Sequence, residues 1–202
     1  MPKDKTASHL KVLAAAREEF MEYGYEKASM RRIGQRCGMT AAGLYRHCRD
    51  KADLFGEIVL PAVNRINDWI DAHISRNLQN LEADTVDIWK DSEIDMMRDL
   101  VYPHMEEYRL LFTKAQGSPY ENYLHELTQK HQDQMMAFLP RLHEKGYVPR
   151  MIDSKELHLL LSAYTTAMFE PVIHGYTQEE AYRCLETVEA FFLPGWKQLL
   201  GV

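Results

Sequence analysis

Apolar residues recur at three- and four-residue steps along most of the chain, which is the pattern of amphipathic helices. The first such stretch runs from Thr6 to about Tyr23, and Gly24 then suits the C-terminal end of a helix. No run alternates with period two for long enough to indicate a strand. The pattern predicts an all-α fold of about nine helices. One face of the first predicted helix carries Leu10, Leu13, Ala16, Phe20 and Met21.

Two short helices are predicted next, and they are joined by a glycine turn. Ser29 suits the N-cap of a helix that continues to about Cys37 and stops at Gly38. Thr40 suits the N-cap of the following helix, which continues to about His47. Two helices joined by a short turn that contains glycine form a helix-turn-helix motif.

A long fourth helix is predicted from about Lys51 to Leu81, with Asp50 as its cap. Pro61 lies inside this segment, so we expect a kink or a short break there. The remaining candidate helices are Thr85–Val101, His104–Lys114, Tyr120–Phe138 (or on to Lys145), Ser154–His174 and Gln178–Leu200.

Positive charge is concentrated in the short helices. Between Lys27 and Lys51 the chain has seven Lys or Arg residues and one acid, Asp50, which gives this segment a net charge of +6. The whole chain of 202 residues has a formal net charge of −6. A basic helical face is often only a solvated surface, but its combination with a helix pair and a glycine turn favours a polyanion as partner.

In a helix-turn-helix motif the second helix enters the major groove with its N-terminal residues against the base edges. Here that helix begins Thr40-Ala41-Ala42-Gly43, and such small residues allow a close approach to DNA. Tyr45, Arg46 and His47 follow at positions suited to phosphate or base-edge contacts. The motif therefore predicts binding to double-stranded DNA.

The segment from about Val12 to Phe55 resembles the DNA-binding domain of the TetR (TetR/AcrR) family of bacterial transcriptional regulators. The shared marks are an A-x-x-x-F helix that ends in Gly24-Tyr25, followed by S-M-R-R-I, G-M-T-x-x-G-L-Y-R-H and D-K-x-D-L-F. Two positions depart from the family pattern, because Cys48 stands where an aromatic residue is usual and Gly34 where Ala is common.

The resemblance implies a homodimer with a helix-turn-helix DNA-binding domain (residues 1–50) and a larger helical domain for ligand binding and dimerisation (residues 51–202). It implies a ligand-responsive transcriptional regulator, expected to be a repressor, that binds a pseudo-palindromic operator and responds to a small molecule. Together with Arg46 from the basic helix, the positions that match the family's DNA contacts are Ser29, Arg31, Thr40, Ala41, Gly43, Tyr45, His47 and Lys51.

The last two predicted helices have wide apolar faces, which suit either a dimer interface or a core within one chain. The resemblance favours the interface, in which two helices of each subunit pair. The predicted interface residues are Leu157, Leu161, Tyr164, Val188, Phe191, Phe192 and Trp196.

The middle of the chain is rich in aromatic and methionine side chains, which suit the wall of a pocket for a hydrophobic small molecule. The same pattern at helical spacing also fits an ordinary core. The predicted pocket residues are Trp89, Met97, Tyr102, Tyr108, Phe112, Tyr123, Met135, Tyr164 and Met168.

Other classes of function have little support in the sequence. There is no apolar run long enough to span a bilayer and no signal-peptide pattern, so we expect no membrane contact and a cytoplasmic protein. No phosphate-binding loop, nucleophile elbow or metal-ligand cluster is present, so neither enzymatic activity nor a metal or other cofactor is predicted. An all-α enzyme or carrier that uses the same pocket is the alternative. A thiol switch of Cys37 with Cys48 is also left open.

Overall fold

The computed structural model describes residues 5–83, 85 and 93–201, and every regular element in these ranges is helical, which confirms the all-α fold class. The helices are α1 (Lys5–Lys27), α2 (Met30–Arg36), α3 (Ala41–Leu44), α4 (Lys51–Glu82), α5 (Glu93–Met96), α6 (Met105–Thr113), α7 (Tyr123–Glu144), α8 (Ser154–His174) and α9 (Gln178–Leu200). A π-helical turn (Met97–Val101) and a 3₁₀ turn (Tyr102–His104) join α5 to α6.

The N-terminal helices are delimited much as the sequence predicts. Gly24 breaks α1 with φ 73° and ψ 164°, a backbone conformation that glycine adopts at no steric cost. Thr40 is extended, and its Oγ1 accepts a hydrogen bond from the N–H of Gly43 at 3.1 Å, so the predicted cap of α3 is confirmed. Ser29 precedes α2 in an extended conformation, but its side chain makes no capping hydrogen bond. The helix α3 is shorter than predicted, because the chain turns after Leu44.

The fourth helix is continuous for 32 residues and passes through Pro61, so the short break considered at that residue does not occur. Asp50 caps it as predicted, since its Oδ1 accepts a hydrogen bond from the N–H of Asp53 at 2.7 Å. The helix predicted from Thr85 differs: Thr85 itself is not helical, α5 begins at Glu93, and residues 86–92 lie outside the described ranges.

The chain divides into two compact units, the first made of Met1–Asn64 with His104–Tyr123 and the second of Arg65–Pro103 with Leu124–Val202. In the first unit Phe55 of α4 packs edge-on against Phe20 and Tyr25, and the N–H of Tyr25 donates to the carbonyl of Lys114 at 2.8 Å. The start of α4 and all of α6 therefore pack with α1–α3. The packing of the helices thus does not divide the chain at residue 50. The boundary expected at that residue, between a DNA-binding domain and a ligand-binding domain, stays a prediction.

The second unit has its own apolar core, formed by the end of α4 together with α7, α8, α9 and the turn between α7 and α8. The buried members are Leu81, Phe138, Leu139, Leu142, Val148, Ile152, Leu157, Leu161 and Leu200.

Candidate nucleic-acid interface and ligand cavity

The leading turn of α3 is exposed. Thr40 and Ala41 face solvent, and Tyr45, with 52% of its surface exposed, follows them together with the exposed Arg46. A side chain at Gly43 would place its Cβ 3.3 Å from Thr40 Oγ1, so glycine there leaves room for the cap. The predicted reading turn thus presents a compact backbone, a phenol and a guanidinium on one short surface.

His47, the next predicted DNA contact, is half-buried and its ring stacks on His9 of α1 at a centroid distance of 5.9 Å. His9 Nε2 in turn lies against the carboxylate of Glu57 on α4. These contacts connect the turn after α3 with α1 and α4 through side chains.

A buried carboxylate holds part of the basic segment in place. Glu19 of α1 is fully buried, and its Oε1 accepts hydrogen bonds from Arg32 Nε at 2.6 Å and from the N–H of Ser29 at 3.0 Å. Its other oxygen accepts from Arg36 Nε at 3.3 Å. Arg36 also contacts the exposed carboxylates of Glu18 and Glu22. Arg32 and Arg36 therefore tie α2 to α1.

Two further cations of the segment are engaged within the chain. Arg49 pairs with Asp53 at 2.7 Å, and hydrogen bonds from Arg49 hold the pKa of Asp53 below its ordinary value. Lys51 Nζ donates to the carbonyls of Tyr25 at 2.8 Å and Glu26 at 3.1 Å, and lies 4.4 Å from the Tyr25 ring centroid. The DNA contact predicted for Lys51 would have to share this ammonium with the chain's own carbonyls.

Within the part of the chain that the structure describes, Lys27, Arg31 and Arg46 make no ion pair, whereas Arg32, Arg36 and Arg49 do. The charge count from Lys27 to Lys51 missed this division because the four partner acids lie outside that segment. Two of these acids gave a usable signal, because Glu18 and Glu22 of α1 are four residues apart and so lie on one face of the helix.

The second unit contains a cavity of about 180 Å³ between α4, α5, α7, α8 and α9. A smaller cavity of about 50 Å³ shares lining residues with it. Of the predicted pocket residues, Met135 lines the larger cavity, Met168 the smaller, and Tyr164 both. The larger cavity is lined by His73, Ile74, Asn77, Glu93, His131, Met135, Phe138, Leu139, Leu142, Leu161, Tyr164, Glu189, Phe192, Leu193, Trp196 and Leu200.

Three predicted pocket aromatics lie in the first unit instead. Tyr108 is fully buried and donates to the carbonyl of Ala62 at 3.2 Å, and Tyr123 donates to that of Val63 at 3.4 Å. Phe112 stacks between these two rings. Residues 104–123 pack against α4 within the first unit, so these aromatics fill a core.

Two more of the predicted pocket residues, Met97 and Tyr102, are not among the residues that line either cavity. Met97 is fully buried. The ring of Tyr102 packs edge-on against Tyr182, and burial raises its pKa to about 12. Trp89 lies outside the described residues.

The cavity wall carries a few ionisable groups among apolar side chains. The hydroxyl of Tyr164 donates to Glu93 Oε2 at 3.0 Å, and burial, followed by this carboxylate, raises the pKa of Tyr164. Burial, with a smaller contribution from His73, lowers the pKa of His131 to about 4. The His131 imidazole is therefore uncharged at neutral pH. Glu189 adds a second carboxylate to the cavity wall.

The predicted interface residues divide into buried and exposed sets. Leu157 and Leu161 lie in the core of their own unit, so a partner subunit would not reach them. Tyr164, Phe192 and Trp196 line the cavity. Val188 is half-buried, and Phe191 is 77% exposed. Leu159 of α8, which the sequence did not single out, is 69% exposed.

The profile of bacterial regulatory proteins of the tetR family matches residues 12–58, which comprise most of α1, all of α2 and α3, and the start of α4. Residues 12–58, which are 47 of the 202 residues of the chain, are therefore similar to the TetR family. Members of this family are DNA-binding regulators and not enzymes. The match covers the segment whose motifs led to the resemblance, and it coincides with the exposed turn and the Glu19 anchor described above.

Among curated relatives, the HTH-type transcriptional repressor Rv1474c of Mycobacterium tuberculosis is 45% identical over 49 residues, or 24% of this chain. That match spans about a quarter (26%) of the relative's length. Among solved structures, NalD of Pseudomonas aeruginosa has a TM-score of 0.50 at 18% identity, covering 92% of this chain and 96% of NalD. PfmR of Thermus thermophilus is 25% identical over 89% of this chain and 93% of PfmR, with a TM-score of 0.48.

The two departures from the TetR pattern have local explanations. A Cβ at Gly34 would lie 3.0 Å from the carbonyl of Met39, so this turn accepts glycine more readily than alanine. Cys48 is buried, its Sγ donates to the carbonyl of Leu44 at 3.7 Å, and burial raises the pKa of the thiol. A raised pKa disfavours the reactive thiolate that a thiol switch with Cys37 would need.

Two kinds of feature are absent from the described part of the chain. Its His, Cys, Asp and Glu residues form no group of three that could hold a metal ion. Across the same residues, none of the helices combines the length and hydropathy needed to cross a membrane.

Proposed function

We propose that this protein is a transcriptional repressor that binds operator DNA through α2, α3 and the turn after α3. The observation that carries the proposal is the exposed, Thr40-capped leading turn of α3, with Arg31 and Arg46 beside it in sequence and paired with no acid among the described residues. Exposed cations are the groups that can neutralise phosphates, while the small residues of the turn can approach base edges. The matching segment of the repressor Rv1474c supports this interpretation.

The proposal includes a homodimer, because two reading heads related by a two-fold axis match a pseudo-palindromic operator. Leu159 on α8 and Phe191 on α9 are large apolar side chains that face solvent in the single chain. We expect them to be buried between subunits. Sedimentation of the Phe191→Glu variant should show monomers where the parent protein shows dimers, while Glu186→Gln on the same helix should stay dimeric.

The proposal also includes a small-molecule effector in the larger cavity, and action in the cytoplasm. The wall of this cavity includes His73, Ile74 and Asn77 of α4. The same helix begins at Lys51, next to the helices α2 and α3 that we propose bind DNA. An effector that favours one arrangement of α4 over another would change DNA affinity by the difference in its own affinity for the two arrangements.

The test is the anisotropy of labelled DNA from the region upstream of the protein's own gene, titrated at several salt concentrations. We expect binding that prefers this DNA over a scrambled sequence and weakens as salt rises. The Arg31→Ala/Arg46→Ala variant removes two exposed cations, and it should bind the upstream DNA much more weakly than the parent protein does. Equal binding to both DNAs, or no binding at micromolar protein, would reject the proposal.

A further inference from the structure

Two cations donate hydrogen bonds to the carbonyls at the C-terminal end of α1. Lys51 Nζ donates to the carbonyls of Tyr25 at 2.8 Å and Glu26 at 3.1 Å. Arg32 Nη2 donates to the carbonyl of Lys27 at 2.7 Å. The last carbonyls of a helix have no N–H donor inside the helix, and the helix dipole favours positive charge beside them. Both effects stabilise Lys51 and Arg32 in these positions.

The ammonium of Lys51 has an acceptor within the chain for each of its donors. An ammonium has three N–H donors and accepts no hydrogen bond. Besides Tyr25 and Glu26, the carbonyl of Ala28 accepts at 3.5 Å. The same nitrogen lies 4.4 Å from the centroid of the Tyr25 ring, which attracts a cation through its quadrupole. A DNA phosphate would therefore have to displace one of the chain's own acceptors from Lys51.

The acceptors of Lys51 are held by the core of the first unit. Tyr25 is buried, and its ring packs against Phe20 at a centroid distance of 6.0 Å and edge-on against Phe55 at 5.2 Å. Its N–H donates to the carbonyl of Lys114 at 2.8 Å. The end of α1 is thus fixed by packing, so Lys51 binds a rigid set of carbonyls.

Lys51 also lies where the helix-turn-helix segment ends. It is the first residue of α4 and directly follows Asp50, whose Oδ1 accepts a hydrogen bond from the N–H of Asp53. Residues 29–50, which contain α2 and α3, lie between Ala28 and Lys51 in the sequence. The hydrogen bonds from Lys51 to carbonyls that precede residue 29 therefore join the two ends of this segment.

We propose that Lys51 is a positioning residue for DNA recognition: it joins the ends of residues 29–50 and so sets how α2 and α3 meet the DNA, without contacting a phosphate itself. This role rests on the proposed function and deepens it, because it assigns Lys51 to sequence preference. Base-edge contacts require a defined position, whereas the number of neutralised phosphates sets how binding depends on salt. Loss of Lys51 should therefore change the first property and not the second.

The ammonium of Lys51 can be removed while the aliphatic side chain is kept, in Lys51→Met. Lys27→Met is the matched control, because Lys27 is an exposed cation that makes no ion pair among the described residues. Anisotropy gives the dissociation constants for the upstream DNA and the scrambled DNA at several salt concentrations. The ratio of the constant for scrambled DNA to that for upstream DNA should fall by about tenfold in Lys51→Met and stay unchanged in Lys27→Met. The salt slope of Lys51→Met should equal that of the parent protein.

This ratio separates positioning from a general loss of structure. A smaller folded fraction weakens binding to both DNAs by the same factor, so it leaves the ratio unchanged. Amide hydrogen exchange adds a measurement without DNA. The N–H of Ile33 donates to the carbonyl of Ser29 at the start of α2, and that of Leu157 donates to the carbonyl of Asp153 in the second unit. In Lys51→Met, Ile33 should exchange about tenfold faster and Leu157 at the parent's rate.

An unchanged ratio, unchanged exchange at Ile33, or a salt slope lower by about 0.9 per subunit would overturn the positioning role, and the lower slope would identify a phosphate contact instead. If Lys51→Met does not fold, Lys51→Gln is measured in the same way, with a smaller fall of the ratio expected because its amide can donate to one carbonyl. A parent protein that shows no preference between the two DNAs rejects the proposed function, whereas faster exchange at Ile33 would still show that Lys51 holds α2.

Discussion

The proposed DNA-binding segment, residues 12–58, and the cavity of the second unit both carry charged side chains, but these side chains have different surroundings in the two regions. In the DNA-binding segment a buried acid, Glu19, holds Arg32 and Arg36 and leaves Arg31 and Arg46 exposed. In the cavity the acids Glu93 and Glu189 line the space that a ligand would occupy, and Glu93 also accepts a hydrogen bond from Tyr164. The comparison indicates that the surroundings of a charged side chain, and not the sign of its charge, decide whether it stabilises the fold or is available to a binding partner.

The largest effect is expected from removing the charge of Glu19. The Glu19→Gln variant leaves two arginines and the N–H of Ser29 around a neutral group in a fully buried position. We expect a loss of about 3 kcal/mol in the free energy of unfolding, measured with urea. Glu18→Gln is the control, because Glu18 meets Arg36 with 66% of its own side chain exposed, and it should cost less than about 0.5 kcal/mol. Similar losses in both variants would show that burial of Glu19 does not matter.

A comparable but pH-dependent effect is expected in the cavity. The pKa of His131 is lowered from 6.5 to about 4 in the folded chain, so between these pH values the unfolded chain binds the additional proton. Stability from this group is therefore present above pH 6.5 and is lost as the pH falls toward 4, by roughly 3 kcal/mol in total.

The free energy of unfolding of the parent protein and of His131→Asn, measured between pH 7 and 4.5, tests this sign. The parent should lose more stability than the variant as the pH falls. Parallel curves for the two proteins would contradict the assignment of a neutral, half-buried His131.

The N-cap residues of α2 and α3, Ser29 and Thr40, are expected to differ in how much their side chains stabilise the protein, by a smaller amount. Thr40→Ala removes the hydrogen bond to the N–H of Gly43 and should cost about 1 kcal/mol of stability. Ser29→Ala is the matched control, since the Ser29 side chain makes no capping bond, and it should change stability by only about a few tenths of a kcal/mol. Equal costs would mean that the caps do not differ as the structure indicates.

Features that depend on neighbours in sequence were predictable. The bounds Ser154–His174 and Gln178–Leu200 agree with the prediction, and Thr40 and Asp50 cap the helices that follow them. A cap and an amphipathic period are local properties, because both are set within one or two helical turns.

Features that depend on distant contacts were not predictable in the same way. Tyr108, Phe112 and Tyr123 have the same spacing whether they line a cavity or fill a core, and only the return of residues 104–123 to the first unit decides between these. Likewise, Glu93 and Glu189 come together only through the packing of α5 and α9, so no motif could have paired them.

The most direct test of the central claim compares two adjacent arginines of α2. Arg31 is exposed and makes no ion pair among the described residues, whereas Arg32 is held by Glu19. The slope of log K against log salt concentration for DNA binding should fall by about 0.9 per subunit in Arg31→Ala, with the free energy of unfolding unchanged. Arg32→Ala should instead lower stability and leave the slope of the folded protein intact. Equal slopes for Arg31→Ala and the parent protein, or a larger change for Arg32→Ala, would contradict the account.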